Sequence, residues 1–591
     1  MKYPDPKIYR MKDSIDWKLQ KDNLKEFGGI AWQLLKETDW KAFGKKQLTN
    51  AMLTGKRLAE EAKTVRDMSP AERLDLLVNG EKRLGKLYRS GSMATVRREW
   101  RGVTDTAVDF WEWTKLWGML LSSFSKDLVP AMGGATWYRW MISYFCCHSF
   151  RDKNVMGLRG SALKMHSEMT YQIFRYVAEN LVLLMKGDER GGNCRDLSKK
   201  VVLFDEMTMG QIMAGFPDLV GIPYQLLPVF LLSEIDQLAC MPYIDAVESY
   251  GLPADTCPVP TSESGACVID ALPHLGACFI SSSMPCDGSV MASSYTSRRF
   301  KDLPTYHLTF PVRYEDEETL QTGVLEIQNC IRFVEEQTGA KWNWDAYFTA
   351  MKRFNEETRF ELQKWEVNQT NNPQLIGPTY ELFRKWNYEM DGGLDPRVLE
   401  SFKKVNRLML KAYERREEPW PGKMRHRAIV WSVPAHYYAN FSNWLANCWG
   451  INVLVEMEGL NFTRPLETED HQGALEDMAR LYERMVMRRH TNGGYDHVLT
   501  ELWRQVEIWK PEIVIMYQHV SCKNMSTLSG MFEDQARERG VRLIWIEHDL
   551  MDPRTVSRKD MRGKVNEYMR TVMREEPLDP SLLEFDDEAA W

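Results

Sequence analysis

The chain has 591 residues, 44% hydrophobic and 27% charged, and its 76 basic and 83 acidic side chains leave a net charge of −7. That length outgrows a single core, so about two to four domains are expected, and the composition is ordinary for a soluble globular protein. With no concentrated basic surface, nucleic acid is excluded as the main partner.

Residues 1–195 read as a mostly helical N-terminal extension. Its charged amphipathic stretches include a helix start at "SPAE", with Ser69 as cap and Pro70 at the first helical position. Trp100, Trp111, Trp113, Trp117, Trp137 and Trp140 mark either a contact surface or helices packed against a larger body, and the second reading is the expectation. The N-terminal "MKYPDPKIYRMKDS" lacks the apolar core of a signal peptide. The apolar "LVGIPYQLLPVFLL" (219–232) is broken by two prolines and reads as buried core, not a membrane span. A cytoplasmic protein without membrane contact is the expectation. "MKGDERGGNCRD" (185–196) reads as a surface boundary loop; its glycines have no strand before them and no Walker lysine after, so ATP is not expected to bind this chain.

Residues 196–335 form the first expected α/β domain, with strands in "KVVLF" (200–204), "GACFISSS" (276–283) and "TYHLTFPV" (305–312). A helical connecting region follows over 336–424. The second α/β domain, 425–591, has strands in "HRAIVWSVP" (426–434), "INVLVEM" (451–457), "EIVIMYQ" (512–518) and "VRLIWIEHD" (541–549). Apolar strands alternating with helices imply parallel sheets covered on both faces. The predicted fold class is therefore α/β: two doubly wound, Rossmann-like domains, connecting helices and the N-terminal extension.

Eleven cysteines without a CxxC pair give no zinc-ribbon or thioredoxin signal. Two of them repeat one position. Cys286 follows a strand, precedes a helix, and has the next strand 17 residues on at Leu303; Cys522 does the same, with the next strand 19 residues on at Val541. Both are read at the crest beyond a strand's carboxyl end, where open α/β sheets bind ligands. A following helix N-terminus favours thiolate. Cys257 lies in the polar loop "GLPADTCPVPTSESG". Each of the three is either a small buried hydrophobe or a presented thiolate, and three thiolates from facing crests could hold an iron–sulfur cluster with one iron lacking a protein thiolate. His519, three residues before Cys522, either satisfies loop carbonyls or serves a substrate carbonyl or a proton transfer. Lys523 either lowers the Cys522 pKa or lies on a solvated helix start. Cys146 and Cys147 read as core, and Cys267 and Cys278 as possible replacement ligands.

The stretches "ADTCPVP", "SSSMPCDGSV" and "HVSCKNMSTLSG", with "GVRLIWIEHDLMDPRTVSRKDMRGKVNEYM" and "FVEEQTGAKWNWDAYFTAMKRFNEETR", resemble the 2-hydroxyacyl-CoA dehydratases and the related ATP-dependent benzoyl-CoA reductases. The resemblance spans about residues 200–575, with no counterpart for 1–195, and is strongest to the larger (alpha) subunit type of 2-hydroxyglutaryl-CoA dehydratase. It implies that Cys257, Cys286 and Cys522 ligate an iron–sulfur cluster of the 4Fe-4S kind. It also implies a related smaller iron–sulfur subunit as partner in a heterodimer, a separate ATP-dependent activator protein, and an acyl-CoA substrate. The chemistry implied is elimination of water from a 2-hydroxyacyl-CoA through a ketyl radical, in an oxygen-sensitive lyase. Where dehydratases have a serine after the first strand and a glutamate about 18 residues later, Glu206 and Tyr224 stand here. That departure keeps open an aryl-CoA or enoyl-CoA reductase, in which Tyr224 could donate a proton. A non-catalytic or electron-relay partner subunit is the alternative of another class.

Overall fold

Two four-stranded, all-parallel sheets organise the chain. The computed structural model describes residues 17–37, 65–79, 160–188, 195–205, 210–283, 286–299, 302–311, 316–375, 391–420, 424–438, 440–457, 464–485, 494–522 and 526–584, with isolated positions between 39 and 158. Helices α1 (Trp17–Glu37), α2 (Pro70–Asn79) and α3 (Gly160–Gly187) represent the N-terminal region. The predicted helix start at Pro70 is observed: the Glu72 N–H donates to Ser69 Oγ at 3.2 Å and the Ser69 N–H to Glu72 Oε2 at 2.9 Å, a reciprocal cap. No helix among the described residues is long and apolar enough to cross a membrane.

The first sheet has the order β2-β1-β3-β4, from β1 (Val201–Phe204), β2 (Val220–Pro223), β3 (Cys278–Ser282) and β4 (Thr305–Leu308). Helices α4 (Leu231–Ile235), α5 (Met241–Ser249) and α6 (Pro258–Val268) run between β2 and β3, and α7 (Asp287–Arg299) joins β3 to β4. β2 lies within the proline-broken stretch read from sequence only as core. Its proline closes the strand, where a missing N–H is tolerated. Helices α8 (Glu317–Thr338), α9 (Trp344–Gln369) and α10 (Pro396–Glu414) follow. Asp316, Asn343 and Asp395 cap them by accepting N–H bonds from Thr319, Ala346 and Arg397.

The second sheet repeats the order as β6-β5-β7-β8, from β5 (His426–Trp431), β6 (Ile451–Glu456), β7 (Ile513–His519) and β8 (Arg542–His548). Its helices are α11 (Phe441–Trp449), α12 (His471–Glu483), α13 (Tyr495–Trp509), α14 (Ser529–Arg539) and α15 (Arg558–Tyr568). β1, β3 and β6 are buried along their whole length, as strands covered on both faces must be. In each sheet the order reverses between its first and third strands, which opens a crevice at their carboxyl ends.

Three apolar clusters hold the body together. One joins α3, one face of each sheet and α10 through residues such as Met169, Leu203, Phe402 and Val514. The end of the N-terminal region is thus built into the main core. A second fills the outer face of the first sheet, where α12 from the second half packs on α8 and Tyr482 stacks on Phe310 at 4.6 Å. The third lies beneath the other face of the second sheet. Where the halves meet, Cys240 Sγ is 3.6 Å from Met551 Sδ, Phe230 meets the His436 ring at 5.1 Å, and Arg554 pairs with Asp245 at 2.8 Å. The α4–α6 segment therefore faces the carboxyl-end loops of the second sheet.

Candidate functional site

Cys257 is the N-cap residue of α6, with Pro258 as the first helical residue. Proline fits there because that N–H has no helical partner, while the Thr261 N–H and hydroxyl both donate to the Cys257 carbonyl, at 3.2 and 2.8 Å. Cys286 comes four residues after β3 and directly before α7. A Cβ added at Gly288 would stand 2.8 Å from the Pro260 ring and 3.5 Å from the Cys286 sulfur, so α7 begins against the first turn of α6. Cys522 comes three residues after β7. Its N–H donates to the His519 carbonyl at 3.0 Å, and the Ser526 N–H and hydroxyl donate to its own carbonyl at 3.0 and 2.8 Å, so a helical turn opens on it. The two crest cysteines thus occupy equivalent places after the third strand of each sheet. The strands that follow begin at Thr305 and Arg542, one or two residues later than the apolar runs indicate.

Cys286 and Cys522 both lie near enough to Cys257 to act on its thiol. Burial pushes the Cys257 thiol well above its ordinary range; the Val259 N–H pulls it down, and Cys286, Cys522 and Asp549 push it up again. The residue keeps some exposed surface, but its sulfur is enclosed. Desolvation here outweighs the start of α6, which by itself would favour thiolate. Cys257 is therefore a thiol until something more strongly held displaces its proton.

His519 ends β7, buried, with Nε2 3.3 Å from the Cys257 sulfur. Its imidazole is driven down to about 3, by burial first and then by His548, while the His548 backbone opposes the shift. His548 ends the neighbouring β8 with no exposed surface. Its ring lies 5.6 Å from that of His519 and 4.9 Å from Tyr517. Among the described residues, His519 Nδ1 and both His548 ring nitrogens make no well-formed hydrogen bond, although backbone groups of Val433, Gln518 and Ile546 lie near the His548 ring. Asp549 follows, its carboxyl raised to about 6 by burial although the Met551 and Asp552 N–H groups donate to it at 2.9 and 2.8 Å. His548 and Asp549 were not singled out from sequence. Their signal was a His-Asp pair at the end of the apolar run "VRLIWIEHD".

Of the other sequence candidates, Tyr224 stands just beyond β2, fully buried. Its hydroxyl donates to the Pro273 carbonyl, and burial with Tyr138, Cys267, Asp188 and Asp270 nearby raises its pKa well above a phenol's. Glu206, Lys523, Cys146 and Cys147 lie outside the described residues. Beside Glu206, Asp205 accepts the Ser282 N–H at 2.5 Å and so ties the ends of β1 and β3. Cys267 is buried 3.2 Å from Thr296 Oγ1, and Cys278 lies inside β3. Among the acid–base candidates, His519 is the one the described residues set against the thiols.

His548 makes one prediction here. A ring with a folded pKa of about 4 against 6.5 unfolded contributes stability that is present above pH 6.5 and is lost as pH falls toward 4. Between pH 7 and 5 the loss is about 2 kcal/mol. His548→Phe, which cannot titrate, should narrow the difference between urea midpoints at those two pH values. An unchanged difference would mean that the folded ring accepts a proton as readily as the unfolded one.

Residues 239–571 match the family model described as 2-hydroxyglutaryl-CoA dehydratase, D-component. Comparison with curated proteins finds no match. The matched segment holds Cys257, Cys286 and Cys522, whereas Glu206 and Tyr224 precede it. Since the match takes in more than half of the 591 residues and contains the whole thiol site, the chain belongs to the 2-hydroxyglutaryl-CoA dehydratase D-component family.

Proposed function

We propose that this dehydratase subunit binds an iron–sulfur cluster, and that it serves the elimination of water from a 2-hydroxyacyl-CoA. The observation that supports it is the convergence of Cys257, Cys286 and Cys522 at the starts of helical turns from both halves of the molecule. Among the described residues no group of three or more His, Cys, Asp or Glu side chains stands arranged to hold a metal ion. Three cysteine thiols are nonetheless the donor type that an iron–sulfur cluster takes. Cys257, Cys286 and Cys522 would hold it. When bound, it would supply the single electron, and at an iron without a thiolate the Lewis acidity, that activate the thioester carbonyl and make loss of the α-hydroxyl feasible.

The chain's own residues then have simple duties. The α4–α6 segment, which carries Cys257 and faces the carboxyl-end loops of the second sheet, limits access of water to that sulfur. Asp549, whose raised pKa lies near neutrality, can hold a proton close to them. The Pro273 carbonyl retains the Tyr224 proton inside the core, which favours the dehydratase over the reductase that a free tyrosine would serve. As a D-component the chain works with other components; a smaller iron–sulfur subunit and an ATP-hydrolysing activator are the partners proposed.

The test is iron and acid-labile sulfide per chain after anaerobic purification, for wild type and Cys522→Ser. About four irons are expected in the wild type, with more than half lost in the variant. Little iron in the wild type, or no change on substitution, would make the three thiols packing residues and overturn the proposal.

A further inference from the structure

We infer that His519 is a positioning residue for the cluster: its Nε2–H donates to the Cys257 sulfur and raises the cluster's reduction potential. The inference rests on the iron–sulfur reading above.

The geometry carries it. His519 Nε2 lies 3.3 Å from the sulfur, within reach of an N–H···S bond. The two residues are 262 apart in sequence and belong to opposite halves, so the pair forms only when the crests face each other. The imidazole cannot swing away readily. The residue's backbone carbonyl accepts the Cys522 N–H at 3.0 Å, and its ring is backed by His548.

The direction of the hydrogen bond follows from proton counting. While Cys257 is a thiol, either partner can donate. Once the sulfur is a metal-bound thiolate it has no proton, and the bond survives only if Nε2 carries one. The other neutral tautomer would turn a nitrogen lone pair toward the thiolate, setting two electron-rich atoms against each other. Metal binding at Cys257 therefore selects the Nε2–H tautomer, with Nδ1 as a bare lone pair. An N–H aimed at a ligating sulfur draws charge from it and favours the reduced, more negative state. The half of the chain that carries Cys522 thus also sets the electron affinity of the ligand from the other half.

The test uses the anaerobically purified holoprotein. In an EPR-monitored redox titration, His519→Leu should retain its iron and move the midpoint to a more negative potential. His519→Gln, which keeps an N–H donor, should recover part of the shift. An unmoved midpoint in an iron-loaded Leu variant would overturn this inference and leave the cluster reading intact. A wild type without iron would overturn both. Should the Leu variant fail to fold, pulsed EPR on wild-type protein labelled with 15N-histidine decides the matter. A coupled 15N with an exchangeable proton is the expected result, and its absence refutes the bond.

Discussion

Arg175→Met is expected to destabilise the chain by about 3 kcal/mol, toward the lower end of what removing one partner from a buried ion network costs. Arg175 projects from α3 with its side chain 6% exposed, 2.8 Å from Asp395 and 3.1 Å from Glu179. The Arg175 Nε also donates to Gln172 at 2.9 Å. Arg397 shares both carboxylates, at 2.8 Å each, but its side chain is 39% exposed and more screened by water. With Arg175 gone, two buried carboxylates would share one screened guanidinium. A third acid lies close: burial and Asp395 raise Asp391 to about 8, and Arg175 is one of the groups that hold it down. Arg175→Lys restores the charge but not the two-pronged geometry, so it should recover only part of the loss. Urea midpoints of the three proteins at pH 7 decide the case; a loss under about 1 kcal/mol for the Met variant would mean Arg397 suffices alone. The network matters for architecture because α3 and α10 are joined by it. A defect there should loosen the N-terminal region from the body before it reaches the thiols.

The sheets were legible because their strands are short apolar runs set between helices, and seven of the eight stand where such runs occur. β2 was hidden by its prolines. What periodicity could not give was the destination of each helix. Leu475, Met478 and Tyr482 of α12 mark a buried face in the sequence, yet nothing local says that this face crosses to the first half and packs on α8. The thiol site was legible for a different reason. Cys286 and Cys522 repeat one place in two copies of a fold, and the repeat is visible without coordinates. Cys257 was chosen for its polar loop, and its link to the others depends on α6 folding back over α7, a contact no spacing encodes. His548 and Asp549 were missed because a strand-end His-Asp pair looks like a satisfied turn until the ring nitrogens are seen to lack well-formed hydrogen bonds. Tyr224 could be placed near the end of an apolar run, but that its hydroxyl donates to a carbonyl 49 residues away could not be read from the sequence.

The site depends on one close helix crossing, and Gly265→Ala is expected to break it. α5 and α6 pass so tightly that a Cβ at Gly265 would sit 1.9 Å from the Tyr243 carbonyl oxygen and 2.5 Å from its carbon. The obstacle is backbone, which no rotamer change can relieve. Restoring ordinary contact requires α6 to retreat by more than about 1 Å, and forcing extra volume into such a seam costs about 3 kcal/mol. The displacement would not stay local. Cys257 caps α6, and α7, which begins after Cys286, rests on the first turn of α6 through Gly288 and Pro260. Two of the three thiols would move together while Cys522, held from β7, stays in place. The variant should therefore lose stability and also bind well under half the wild-type iron, even in the fraction that folds. Gly530→Ala is the control: it lies within α14, where an added Cβ meets nothing within 4 Å, and it should leave iron unchanged and stabilise by about 0.5 kcal/mol. If Gly265→Ala keeps both the wild-type urea midpoint and the wild-type iron content, the helices do not meet backbone to backbone, and another contact holds Cys257 over Cys522.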